Sequence, residues 1–224
     1  MRAILSFCAL ATLAAPALVH TSQAGQAPTP EAGFTSLFNG RDFTDWRLVN
    51  PESFRIEDGA IVANGRAGHA FYDGPVGSHA FRNFELRADV MTRAGSNGGI
   101  YVQTAFQERG FPAKGFEIQV NNSYARDPVR TGSLYHVLDI TEAPAGDDVW
   151  FTMSIVAKDL TIAVSVDGTQ VVTWTQPPDW QGTFRRNGRP EFPERRIQTG
   201  TIALQAHDPN STVYYRNLRI RIDD

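Results

Sequence analysis

The regularity that most constrains this chain has a period of two. "FELRADVMT" (84–92), "IYVQTAF" (100–106) and "GFEIQV" (115–120) alternate apolar and polar residues, while helical spacing of apolar positions is almost absent. Side chains two apart in a strand share a face, so each run has one apolar side and one that is not. Gly, Pro, Asn and Asp separate the runs. "SFRIEDGAIVAN" (53–64) reads as strand, Asp58–Gly59 turn, strand. "VWFTMSIVAKDLTIAVSVDGTQVVTWT" (149–175) reads as three strands, turning at Lys158–Asp159 and Asp167–Gly168; "GTIALQAH" and "VYYRNLRIRID" close the chain. About a dozen short strands at this spacing imply an all-β, two-sheet antiparallel jelly-roll sandwich, with the first and last strands paired.

A chain of 224 residues, 42% apolar, holds one sizeable core and not two comfortable ones. Its formal charge of −3, with both signs scattered, offers no basic face for nucleic acid. Residues 1–24 read as a signal peptide: Arg2, an apolar stretch broken by Pro16, then "SQA" as a small-residue cleavage site. The stretch is too short and broken for a membrane span, so no membrane association is expected after its removal. A periplasmic or secreted protein is expected. Residues 25–33, "GQAPTPEAG", read as a flexible linker, and 34–224 as a single β-sandwich domain. Cys8, the sole cysteine, leaves with the leader, so the fold relies on its core and not on disulfides.

Strand parity then separates two kinds of surface. Ile100 and Val102, Phe116, Ile118 and Val120, and Ile202, Leu204 and Ala206 fall on core faces. Opposite them fall Tyr101 and Gln103, then Glu117, Gln119 and Asn121, then Gln205 and His207. A wet sheet face is usually rich in Lys, Ser and Thr. Planar amides, a carboxylate and aromatic rings instead suit a sugar, whose hydroxyls they bind in pairs and whose C–H faces they stack on. In "FELRADV" the outward Glu85, Arg87 and Asp89 read as a self-paired charged surface. "GSNGG" (95–99) reads as a turn, since no strand–helix phosphate loop follows. "QPPDWQGTFRRNGRPEFPERRIQT" (176–199) reads as a long loop whose Arg185, Arg186, Arg189, Arg195 and Arg196 form a solvated face, with a rim or lid as the functional reading. Paired carboxylates spaced for ordinary glycosidase chemistry are missing, and His69, His79, His136 and His207 show no zinc spacing. No cofactor is expected; a structural or catalytic divalent cation stays open, with Asp208 and Asn210 as oxygen ligands.

Several of these stretches in combination carry a resemblance. They are "FTSLFNGRDFTDW" (34–46), "FRIEDGAIV" (54–62), "NFELRADV" (83–90), "GSNGGIYVQ" (95–103), "GFEIQV" (115–120), "TGSLYHV" (131–137), "VDGTQV" (166–171), "GTIALQAHD" (200–208) and "YYRNLRIRI" (214–222). From Phe34 onward the chain resembles the 3-keto-disaccharide hydrolase domain family, formerly a domain of unknown function, built on a concanavalin A-like lectin/glucanase jelly roll. One departure is "LQAHD", where the family more often has an Asp just before the His. The resemblance implies an exported enzyme acting on 3-keto glycosides, downstream of a sugar oxidoreductase that makes the ketone. A C3 ketone acidifies the C2 proton, so elimination of the C1 substituent and hydration of the enone need a base, an enolate stabiliser and a proton donor. On the opposed face Glu117 and His207 are the acid–base candidates, with either order of roles open. Asn97, Gln119 and Gln205 are candidate hydroxyl or enolate donors, Gln103 lies on the same face, Tyr101 and Tyr135 are candidate ring contacts, and Arg109 in "QERGFP" is a candidate substrate contact. The alternative function is a non-catalytic, lectin-like carbohydrate-binding domain, which needs hydroxyl contacts but no proton shuttle.

Overall fold

The computed structural model describes residues 31–182, 185–186, 189–190 and 194–223. The leader read over 1–24 lies outside them, as does most of the lead-in. Among the described residues the alternating runs become fifteen strands. They are β1 (Thr35–Ser36), β2 (Trp46–Val49), β3 (Phe54–Glu57), β4 (Ala60–Ala63), β5 (Gly68–Tyr72), β6 (Phe84–Thr92), β7 (Gly98–Thr104) and β8 (Phe116–Val120), followed by β9 (Phe151–Lys158), β10 (Thr161–Val166), β11 (Thr169–Thr175), β12 (Arg185–Arg186), β13 (Arg189–Pro190), β14 (Thr201–Ala206) and β15 (Val213–Ile222). An eight-stranded sheet runs β11-β10-β9-β6-β15-β4-β3, with β1 on β15; a five-stranded sheet runs β2-β5-β14-β7-β8. Every ladder is antiparallel. The two sheets form the jelly-roll sandwich that the period-two pattern requires.

The apolar parities meet between the sheets. Ile100, Val102, Phe116, Ile118, Val120, Ile202, Leu204 and Ala206 from the five-stranded sheet join Phe84, Leu86, Ala88, Val90, Met153 and Ile155 from the other in one buried cluster. Burying such side chains contributes roughly 1.5–3 kcal/mol each, which lets the sandwich hold without cross-links. The "LFNG" stretch has its own local logic. Asn39 Oδ1 accepts from the Arg41 and Asp42 amides at 2.8 and 3.0 Å, turning the chain. That turn delivers Trp46, whose Nε1 donates to the Leu37 carbonyl at 3.0 Å and whose ring meets Tyr72 edge-on.

Paired termini follow as expected, Thr35 opposite Ile220 and Ser36 opposite Arg219. Glu31, within the expected linker, pairs with Arg87 and, at 3.5 Å, with Arg219. The outer charges satisfy one another: Glu85 takes Arg87 Nε at 2.6 Å and Arg221 at 2.9 Å, and Asp89 takes Asn217 at 2.6 Å. Two local readings change. "GSNGG" is a turn only in its first half, since Gly98 and Gly99 already belong to β7. The short strands β2 and β5, hidden among Gly, Ser and Asp, complete the five-stranded sheet.

Candidate functional site

The outward face of the five-stranded sheet is not wet. Tyr101, Glu117, Gln119 and Gln205 stand on it with relative exposures of 1%, 6%, 1% and 1%. Register explains their meeting: Tyr101 lies opposite Glu117 across β7 and β8, and Ala203 lies opposite Tyr101 across β14 and β7, putting Gln205 beside the same strand. The Tyr101 hydroxyl donates to Glu117 Oε2 at 2.8 Å, and Gln205 Nε2 donates to Oε1 at 2.9 Å. The carboxyl fits only because position 99 is glycine. A Cβ there would sit 2.6 Å from Glu117 Oε1.

Burial dominates this centre electrostatically. It pushes the Glu117 carboxyl above the ordinary carboxylate range, against the opposing pull of the Tyr101 and Gln205 hydrogen bonds and of Arg195 and His207. Burial, then the Glu117 charge and hydrogen bond, push the Tyr101 phenol well upward. Arg195 departs from the solvated loop face that the sequence suggested. It is 2% exposed, and Nη1 donates to the Tyr135 carbonyl at 2.7 Å. Its field reaches both Glu117 and Tyr101. Arg185, Arg186 and Arg189 lie in β12 and β13 or next to undescribed residues, and their side chains are outside the description.

His207 follows directly after β14 and is held from below. Its Nδ1 lies 2.8 Å from Asp208 Oδ2. Ser211 Oγ donates to the same Oδ2 at 2.9 Å, and the Asn97 amide donates to Ser211 Oγ at 2.9 Å. Asp208 Oδ1 accepts the Asn210 amide at 2.8 Å. Burial raises Asp208, but the bonds from His207, Asn210 and Ser211 outweigh it and hold its carboxyl below the usual range. In the neutral ring, a carboxylate beside Nδ1 favours the tautomer that leaves the lone pair on Nε2. Thus Ala206 stands where the family more often has an Asp, and Asp208, on the other side of His207, is its partner. Asp208 spends both oxygens on these bonds, and among the described residues no group of three or more His, Cys, Asp and Glu gathers to hold a metal ion.

The remaining expectations divide. Asn97 is buried beside this relay, with Oδ1 lacking a hydrogen-bond partner among the described residues. Tyr135 pairs along the edge of β8, its amide donating to the Glu117 carbonyl at 2.9 Å, and its hydroxyl donates to Asp127 Oδ2 at 2.9 Å. Gln119 reaches the same Asp127 oxygen at 3.5 Å. Asn121 is spent on the loop, donating to the Val129 carbonyl at 2.8 Å. Gln103 is not with the others. One extra residue on β7 breaks the register between Tyr101 and Thr104, Gln103 takes φ 53°, and its Nε2 donates to the Arg82 carbonyl at 2.8 Å. The bulge defeats simple parity. Arg109 is exposed on the loop after β7.

That loop brings in residues the sequence pattern did not flag. Phe111, 44% exposed, sets its ring 5.9 Å from His69 and 6.1 Å from His207. Tyr124 stands 5.6 Å from His207, ring to ring. His69 lies opposite Gln205 in the ladder, 5.4 Å from the Tyr101 ring, with Nε2 unpartnered among the described residues. Burial pushes its imidazole down to about 4. Alternation in "GHAFY" is the signal that could have placed it. Asp127 and Phe111 sit in loops where no periodicity applies. The assembled site therefore offers a buried carboxyl, a carboxylate-held imidazole, buried amides and an exposed ring at the mouth.

Comparison with known proteins bears on this arrangement. The sequence model of a family described as the 3-keto-alpha-glucoside-1,2-lyase-like domain matches residues 33–221. A 3-keto-disaccharide hydrolase of Bacteroides thetaiotaomicron is 36% identical over 84 residues, 34% of this chain and 29% of that enzyme, so the matched stretch spans under a third of the relative. A Parabacteroides distasonis protein solved as a candidate glycosyl hydrolase superposes with a TM-score of 0.71 at 25% identity, covering 86% of this chain and 94% of that one. A carbohydrate-binding module from Bacillus subtilis shares the fold alone, with a TM-score of 0.54 at 10% identity over 80% of this chain and 96% of the module.

Proposed function

The chain belongs to the 3-keto-alpha-glucoside-1,2-lyase-like domain family, and from that premise we propose that it cleaves 3-keto glycosides by acid–base chemistry on the outward face of its five-stranded sheet. The observation that carries this is the pairing of a buried Glu117 carboxyl with an Asp208-held His207 imidazole, within each other's electrostatic reach. A binding domain has no use for two such proton-handling groups, whereas the reaction needs both.

The roles follow from the surroundings. A 3-keto sugar has an acidic C2 proton. His207 takes it at Nε2, while Asp208 stabilises the imidazolium that forms. The enolate oxygen at C3 gathers charge and is met by buried donors, for which Asn97 and Gln119 are the candidates. Electrons then return to expel the C1 oxygen. That oxygen needs a proton, and Glu117, biased by burial toward its acid form, supplies it. Water adds across the resulting enone to give the free 3-keto sugar. Phe111 and Tyr124 stand beside His207 as apolar walls for the ring. Export by the N-terminal leader, and a preceding oxidoreductase that installs the ketone, belong to the same proposal.

The test is incubation with a 3-keto disaccharide, following release of the 3-keto monosaccharide and uptake of solvent deuterium at C2. Turnover in the parent, abolished in Glu117→Gln and His207→Ala with binding kept, is expected. A parent that binds the sugar without turnover, its affinity merely weakened by both variants, overturns the enzyme reading in favour of a binding domain.

A further inference from the structure

A cleft of about 260 Å3 opens on the same sheet face, displaced along the strands from Glu117. Phe71 and Phe106 wall it, packed edge to face at 5.3 Å, and the Arg47 guanidinium carbon lies 3.4 Å from the centre of the Phe106 ring. Thr104, Thr201 and Asp73 complete the lining that matters here. The bulge in β7 creates the polar floor. By inserting one residue before Thr104 it brings that residue opposite Thr201, into the cleft lining. Thr104 is 1% exposed, and its Oγ1 has no hydrogen-bond partner among the described residues. A buried hydroxyl left unpaired costs roughly 1–3 kcal/mol, which an occupant with a hydroxyl of its own removes.

Strand geometry fixes how far this cleft lies from the chemistry. Gln205, which holds Glu117, is two residues from Ala203 and four from Thr201 on β14. At about 3.3 Å per residue these are steps of about 7 and 13 Å. Phe71 is likewise two residues beyond His69 on β5. The cleft is therefore the next ring-sized position along the sheet.

We propose that this cleft is the leaving-group subsite, built to hold the second sugar ring of a 3-keto disaccharide. The assignment rests on the reading of Glu117 and His207 as the acid–base pair. Apolar rings on one wall match the C–H face of a pyranose. Arg47, Asp73 and the Thr104 hydroxyl match its hydroxyl rim, with Arg47 held against Phe106. A small aglycone such as methyl leaves the cleft unfilled.

The experiment compares kcat/KM for a 3-keto disaccharide with that for methyl 3-ketoglucoside, in the parent and in Thr104→Val and Arg47→Gln. Thr104→Val keeps the side chain's shape and, by deleting an unpaired buried hydroxyl, should melt no lower than the parent. Loss of one hydroxyl contact should lower the disaccharide-to-methyl ratio by about tenfold. An unchanged ratio in both folded variants overturns the assignment. A titration with free glucose, read by NMR at Thr104 and Phe106, separates this proposal from the one it rests on. Shifts at those residues support the subsite even where the parent turns over neither substrate. Their absence overturns it even where turnover is seen.

Discussion

His69 offers the sharpest quantitative test, because its surroundings dictate a sign and a size. Its imidazole is 1% exposed, wedged between Tyr101, Phe71 and Phe111, and burial pushes its pKa from 6.5 to about 4. In the unfolded chain His69 takes a proton below its ordinary value; in the folded protein it resists until the lower one. Across that window the unfolded state binds more protons, so stability falls as pH falls. At about 1.4 kcal/mol per unit, acidification from about pH 7.5 to about 4.5 removes about 2.5 kcal/mol through this residue alone. Against a typical domain stability of about 5–15 kcal/mol, that is a large share. His69→Phe keeps a ring among rings and deletes the titration. Urea unfolding followed by tryptophan fluorescence, extrapolated to water at both pH values, gives the two losses. Carboxylates elsewhere titrate in both proteins and cancel in the difference. The parent should lose about 2.5 kcal/mol more than the variant; equal losses would falsify the claim that this face of the sheet is sealed from water.

Three further outcomes are expected. Glu117→Gln should remove turnover by at least about 100-fold. Because the folded Glu117 pKa is raised by burial, the parent loses stability as pH climbs through that value, and the variant's melting temperature should stay flatter with rising pH. Gly99→Ala should push the Glu117 carboxyl off its Tyr101 and Gln205 partners, since the new methyl group lies 2.6 Å from Oε1; a drop in kcat together with about 1–3 kcal/mol of lost stability is expected, and a fully active variant would count against the placement of Glu117. Asp208→Ala should lower kcat by about tenfold or more with KM little changed, as His207 loses the carboxylate that fixes its tautomer; steady-state kinetics with unchanged kcat would remove Asp208 from the mechanism.

Alternation made the sandwich legible, because a strand's two faces are printed in its sequence at period two. It placed Tyr101, Glu117, Gln119 and Gln205 on one face, and the ladder brings Tyr101, Glu117 and Gln205 into hydrogen-bond contact. Parity failed at Gln103 because it assumes a constant register, and a single bulge between Tyr101 and Thr104 shifts it. Loops carry no periodicity at all. Phe111, Tyr124 and Asp127 reach the site by chain path and not by pattern, and Arg195 sits inside a run of arginines whose composition reads as solvent-facing yet is buried at 2% exposure. Composition alone does not separate Arg195 from Arg196 in "PERRIQ"; parity with the buried Ile197, and the Tyr135 carbonyl and Glu117 charge from elsewhere in the chain, mark Arg195 as the inward one.

The strand "GFEIQV" shows why a solvated face is the wrong description. Solvent would satisfy an acid and an amide at no cost, yet Glu117 and Gln119 are shut in almost as completely as Phe116 and Ile118 on the core side. Covering polar groups costs free energy unless every partner is supplied. Glu117 has Tyr101 and Gln205, but His69 Nε2, Asn97 Oδ1, Gln205 Oε1 and Thr104 Oγ1 lack hydrogen-bond partners among the described residues. All four belong to the five-stranded sheet or its immediate approach. An apolar replacement at these positions would give the same sandwich without that cost. Among the described residues Arg216 Nε, on β15 of the other sheet, also lacks a hydrogen-bond partner, but most of the unpartnered neutral groups lie on this one covered face, which is the face where the proposed reading places a polyhydroxylated ligand.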